Sequence, residues 1–130
     1  MTQNIPVTHD PLRYLTRRLL GQVGQASRDH ALIEPGDHVV VETPCYESAL
    51  QVARSTGATV SEWRRSAGDV WAHDLDALES ALRADTKLVY INSPHNPTGM
   101  LMSREVLDGV VELCADRGAW LFSDEVYREL

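Results

Sequence analysis

An alternation constrains this chain more than any other feature. Short apolar or β-branched runs are each followed by a stretch with helical spacing, with proline and glycine turns between them. Val39-Val40-Val41 follows the turn sequence Pro35-Gly36-Asp37; beyond Thr43-Pro44, the stretch Tyr46 to Ser55 sets Ala49, Leu50 and Ala53 at helical spacing and ends at Gly57. Ala58 to Trp63 predicts a second strand, followed by a polar loop around Gly68 and a helix opening at an Asp74 N-cap with Leu75, Leu78, Ala81 and Leu82 on its apolar positions. Leu88 to Ile91 is a third apolar run, and Asn92 to Gly99 is a loop dense in Pro, Asn and Gly. Ser103 then caps a helix carrying Val106, Leu107, Val110, Val111 and Leu113, Gly118 closes it, and Ala119 to Ser123 predicts the last strand. Unbroken runs such as Val39-Val40-Val41 are the kind that parallel sheets bury. The order therefore predicts an α/β fold with a mainly parallel sheet.

Upstream of this alternation, Leu12, Leu15, Leu19 and Val23 keep a helical period, and Pro11 suits a first-turn position. Gly21, Gly24 and the polar stretch through Asp29 break that helix. The 130 residues suffice for one domain. Twelve Lys and Arg against nineteen Asp and Glu give a formal charge of −7, the wrong sign for holding nucleic acid through its phosphates. The basic side chains are scattered, which argues against attraction to a membrane surface. Cys45 and Cys114 offer neither a disulfide framework nor zinc-ligand spacing and are read as reduced thiols. With no secretory signal pattern and no apolar run long enough to span a bilayer, the expected location is the cytoplasm. A nucleotide-binding α/β domain is disfavoured, because no strand is followed directly by a glycine-rich phosphate fingerprint.

In parallel sheets, ligands gather at the carboxyl ends of strands. Two loops meet that condition. The first, Asn92-Ser93-Pro94-His95-Asn96-Pro97-Thr98-Gly99, has two prolines that can be cis and a glycine free to take positive φ. In the second, Asp124 follows an apolar strand and Tyr127 lies three positions on. Asp124 either serves a ligand or caps a helix that begins there. Asn96 and Asp124 are 28 residues apart, about one helix plus one strand, so both loops are expected on neighbouring strands. An amide, a phenol and a carboxylate converging on one crevice would suit a flat heteroaromatic ring with an acidic hydroxyl and a basic nitrogen.

Four blocks then resemble the fold type I pyridoxal-phosphate enzymes, specifically the class I/II aminotransferases. They are Pro35-Gly36-Asp37-His38-Val39-Val40-Val41, Thr43-Pro44-Cys45-Tyr46, Lys87 through Gly99, and Ser123-Asp124-Glu125-Val126-Tyr127. The resemblance implies that residues 31–130 are part of the large pyridoxal-phosphate-binding domain, with helices on both faces of its sheet. Residues 1–30 form a poorly matched helical segment: an altered start, a misread frame or a divergent stretch. The resemblance also implies the cofactor, pyridoxal 5'-phosphate, and its contacts. Asn96 and Tyr127 would hold the ring hydroxyl oxygen, Asp124 would pair with the ring nitrogen, and the Asn96-Pro97 peptide would be cis. Tyr46 falls where the family often stacks an aromatic on the ring; plain packing at a helix start is the competing reading.

The implied reaction moves an amino group between an amino acid and a 2-oxo acid, in an enzyme that is usually a homodimer. The family forms a Schiff base through a lysine placed a few dozen residues beyond the Asp-Glu-Val-Tyr block. Lys87, the only lysine, matches an ordinary position at the entrance of a strand, so no catalytic residue is assigned. Gly24-Gln25-Ala26-Ser27 lies near the family's phosphate-binding turn but is not assigned that role. The chain is therefore expected to be a fragment, inactive by itself. The alternatives are a non-catalytic remnant or a partner-binding fragment, or a lyase or cyclase of the same family using the same cofactor.

Overall fold

The structure, a computed structural model, describes residues 32–66 and 71–129, which fall almost wholly in the unit Ile33–Leu130. The helix expected from Leu12 to Val23, the turn at Gly24 to Ser27 and the loop at Gly68 lie outside the described residues. The elements follow in strict alternation: β1 (His38–Thr43), α1 (Glu47–Ser55), β2 (Thr59–Arg64), α2 (Leu75–Ala81), β3 (Thr86–Asn92), α3 (Arg104–Arg117) and β4 (Trp120–Asp124).

The four strands form one sheet in the order β2-β1-β3-β4, and every pair is parallel. From β1 the chain steps outward to β2 and then returns to place β3 on the other side of β1. Open α/β sheets hold their ligands beside such a reversal, at the carboxyl ends of the strands.

Strand alternation decides which helix covers which face. Val40, Val89 and Ile91 point toward one face and pack with Trp63, Leu78, Leu82, Val110 and Cys114, so that α2 and α3 cover it. Val39 and Val41 point the other way and pack with Ala49, Leu50 and Ala53 of α1. All six residues of β1 are buried, as a central parallel strand requires. Each of its valines contributes about 1.5–3 kcal/mol of apolar burial.

The helix boundaries follow the residues expected to set them. The Asp74 carboxylate accepts from the backbone N–H groups of Asp76 and Ala77 at 3.0 and 3.2 Å, and Ser103 Oγ accepts from Val106 N at 3.3 Å. Gly118 ends α3 at φ 67°, a left-handed conformation open to glycine at little cost. Gly109, inside α3, would cost helix propensity, but a Cβ there would lie 2.5 Å from Leu75 Cδ1. Its missing side chain lets α2 and α3 pack closely.

The strands run further than the sequence expectation. β3 begins at Thr86 and reaches Asn92, and β4 runs on to Asp124, because the ladder continues until Asn92 stands opposite Asp124. The two polar residues read as the first members of loops are thus the last residues of paired strands, held by sheet hydrogen bonds.

Candidate functional site

The ends of β3 and β4 bring together the residues singled out in sequence. Asn92 ties the two loops: its Oδ1 accepts from Asn96 N at 2.6 Å, and its Nδ2 donates to the Asp124 carbonyl at 2.8 Å. Ser93 N donates to the same carbonyl at 3.0 Å. On this support Asn96 Nδ2 donates to the Tyr127 hydroxyl at 3.3 Å. Asn96 is half-buried and Tyr127 is 37% exposed, so both groups face solvent at the strand ends. The Asn96-Pro97 peptide is cis, as the family resemblance implies, and so are Thr43-Pro44 and Ser93-Pro94.

Asp124 is held at both carboxylate oxygens. Oδ1 accepts from Val126 N at 3.2 Å, an Asx-type turn rather than a helix cap, since the residues that follow form a turn. Oδ2 accepts from the Tyr90 hydroxyl at 2.8 Å. The phenol that meets Asp124 is therefore Tyr90 on β3, while Tyr127 meets Asn96. Tyr46 stands at the N-cap of α1 with no side-chain capping bond and is 65% exposed, so the described residues do not use it as core packing.

Lys87 lies near the start of β3, five residues before Asn92, or about 16 Å along the strand. Its Nζ is 3.0 Å from Asp37 Oδ2. The only lysine thus belongs to the opposite end of the sheet from Asn96 and Asp124.

A second polar cluster at the same end of the sheet escaped the sequence reading. Glu42, 1% exposed at the end of β1, gathers donors from three elements. Its Oε1 accepts from Arg65 Nε at 2.7 Å and His73 Nε2 at 2.6 Å, with Arg65 Nη2 at 2.6 Å, and its Oε2 accepts from Asn92 N at 3.0 Å. Burial is the largest single influence on Glu42 and pushes its pKa up. The His73 hydrogen bond, the Asn92 amide and the Arg65 charge together outweigh it and hold the carboxyl below its ordinary value.

His95 is buried beside this cluster. Its Nε2 lies 2.7 Å from the Pro44 carbonyl, which can only accept, so the ring proton sits on Nε2; Nδ1 lies 2.7 Å from Thr98 Oγ1. Burial, helped by the Arg65 charge, lowers the His95 pKa and favours this neutral form. One signal was available in the sequence: a charged residue, Glu42, directly follows a β-branched run that must be buried, and such a residue needs partners.

Among the described residues no cluster of His, Cys, Asp and Glu is placed to hold a metal ion. No described helix is long and apolar enough to cross a membrane.

Comparison with known proteins adds to this geometry. The family model described as "Aminotransferase class I and II" matches residues 24–130, beginning upstream of the boundary read at residue 31. The aspartate aminotransferase of Thermotoga maritima is 39% identical over 100 residues, covering 77% of this chain and 26% of that protein. The human kynurenine–oxoglutarate transaminase 3 is 36% identical over 110 residues, covering 77% of this chain and 24% of that protein. A PLP-dependent aminotransferase from Streptococcus suis 89-1591 superposes with a TM-score of 0.69 at 40% identity, over 74% of this chain and 26% of its own. The chain thus spans about a quarter of the length of the relatives it matches.

Proposed function

This chain belongs to the class I and II aminotransferase family, and from that premise we propose that Asn96, Tyr127 and Asp124 form the ring-holding edge of a pyridoxal 5'-phosphate site in an enzyme that moves an amino group between an amino acid and a 2-oxo acid. One observation carries the reading: an amide and a phenol 3.3 Å apart stand beside a strand-end carboxylate on the neighbouring strand. The donor set suits the ring. Asn96 keeps a second amide hydrogen and Tyr127 its hydroxyl hydrogen for a ring oxygen, and each Asp124 oxygen keeps a lone pair for a ring N–H.

When bound, the cofactor supplies an electron sink for the charge left as an amino acid's α-carbon gives up its proton. The chain's own residues prepare that sink. Asp124 holds a proton on the ring nitrogen by charge pairing. Asn96 and Tyr127 bind the ring oxygen and fix the ring in its plane. Tyr46, exposed at the carboxyl side of β1, offers an aromatic face for stacking. Assembly as a homodimer and a cytoplasmic location belong to the same proposal and rest on family membership.

The position of Lys87 favours a further restriction, that the described residues bind the ring without supplying the amine that anchors it. Titration of the purified chain with pyridoxal 5'-phosphate tests the whole reading. A saturable absorbance change is expected, weakened by Asn96→Ala and Asp124→Asn, with no stoichiometric labelling of Lys87 after borohydride reduction and mass analysis. Equal binding by the Asn96 and Asp124 variants would reject the site, and labelling at Lys87 in a turnover-competent chain would reject the restriction.

A further inference from the structure

We propose that Tyr90 is a positioning residue for the ring-nitrogen partner, its phenol holding the Asp124 carboxylate in the orientation that receives a protonated pyridine nitrogen. This rests on the reading of Asp124 given above and extends it to a second strand.

The register supplies the geometry. Tyr90 stands opposite Phe122, and Asp124 stands opposite Asn92, so Tyr90 reaches Asp124 diagonally, one same-face position along the ladder. Its ring stacks on Phe122 with centroids 5.7 Å apart and planes 14° from parallel. Its inner face packs against the cluster of Val39, Val41 and Ala53. A phenol fixed in this way has one direction for its hydroxyl, and a part-buried hydroxyl favours a protein acceptor. That acceptor is Asp124 Oδ2 at 2.8 Å.

The bond fixes the carboxylate. With Val126 N on Oδ1 and Tyr90 on Oδ2, rotation of the carboxylate is blocked while a lone pair on each oxygen stays available. Burial, then the Asp124 hydrogen bond and charge, push the Tyr90 phenol far above its usual range, so it keeps its proton and remains a donor. Nothing in core packing requires the hydroxyl: phenylalanine would keep the Phe122 stack and lose only the donor.

Pyridoxine 5'-phosphate is the appropriate probe, because it carries the ring, hydroxyl and phosphate but no aldehyde, and its binding needs no amine. Equilibrium titration would compare the unmodified chain with Tyr90→Phe, Asp124→Asn and the double variant, reading affinity and the absorption band of the nitrogen-protonated ring. We expect Tyr90→Phe to weaken binding about fivefold and reduce the protonated band. Asp124→Asn should weaken it more, and the double variant should be no weaker than Asp124→Asn, since Tyr90 acts through Asp124.

A Tyr90→Phe chain with unchanged affinity and band, beside an impaired Asp124→Asn chain, overturns the role of Tyr90 while leaving the site intact. Additive losses in the double variant do the same. No binding by the unmodified chain, or equal binding by Asp124→Asn, overturns the site reading and this inference with it. Circular dichroism melting of Tyr90→Phe separates a loss of fold from a loss of ring protonation, because only the latter changes the band of the ligand that remains bound.

Discussion

Two polar clusters stand at the carboxyl end of the sheet, a few residues apart, and they are built on opposite principles. Around Glu42 the groups are buried and turned on one another: a carboxylate, an arginine, a histidine and a backbone amide meet within 3.0 Å, and Glu42 and Arg65 side chains are each 1% exposed; among the described residues Arg65 Nη1 finds no hydrogen-bond partner. Around Asn96, Tyr127 and Asp124 the groups are half-exposed, and each keeps unused hydrogen-bonding capacity. The first cluster is closed off from solvent, whereas the second presents its free capacity there. They are joined at Asn92, whose backbone N–H belongs to Glu42 and whose side chain belongs to the loops carrying Asn96 and Asp124. The buried cluster thus holds the end of β3 in place, and the exposed one uses that fixed end.

Substitutions in the two clusters therefore separate stability from binding. The largest effect is expected from Glu42→Ala, which leaves the buried Arg65 charge without its counterion. The loss should be about 3–5 kcal/mol, read as a lowered denaturant midpoint. A near-normal midpoint would show that Arg65 finds water or another acceptor and that the cluster is no anchor.

Asp124→Asn should reverse the pattern. We expect pyridoxal 5'-phosphate to bind about thirtyfold more weakly, the equivalent of about 2 kcal/mol for a lost charged hydrogen bond, with stability changed by about 1 kcal/mol or less. A large loss of stability would move Asp124 into the structural cluster.

Acid should lower the stability of the fold in two steps. Burial is the main cause that lowers the His38 and His95 pKa values in the folded chain, and Glu42 is also held low. For all three the folded pKa lies below the unfolded one. Their contribution is complete above the unfolded value and is lost as pH falls through the folded one. Stability should therefore decline below about 6.5 as the histidines bind protons in the unfolded chain, and again below about 4.5 as Glu42 does. Unfolding midpoints measured across this range would check both steps, and His95→Gln should reduce the first.

The smallest effect is expected from Lys87→Gln, at the far end of the sheet. The partly exposed pair with Asp37 contributes about 0–1 kcal/mol, and ring binding should not change. Any change in ring binding would contradict the separation of Lys87 from the site.

Much of this was legible from residue order. The β-branched run at Val39, the Asp74 and Ser103 caps and the Gly118 terminator act within a few residues, so local chemistry suffices to place the elements. The two strand-end loops were legible for the same reason. Glu42, Arg65 and His73 were not, because their partnership depends on β1 and β2 lying side by side, which no local pattern encodes. Tyr90 read only as an apolar strand residue, since the acceptor of its hydroxyl is 34 residues away.

The sequence by itself determined the alternation of elements, their boundaries to within two residues or so, and the chemical types available at the strand ends, because propensity and turn chemistry are short-range. Only the tertiary structure decided which phenol meets which acid and which carboxylate is buried. Those outcomes depend on strand order and register, and register is set when two faces of a sheet find their helices.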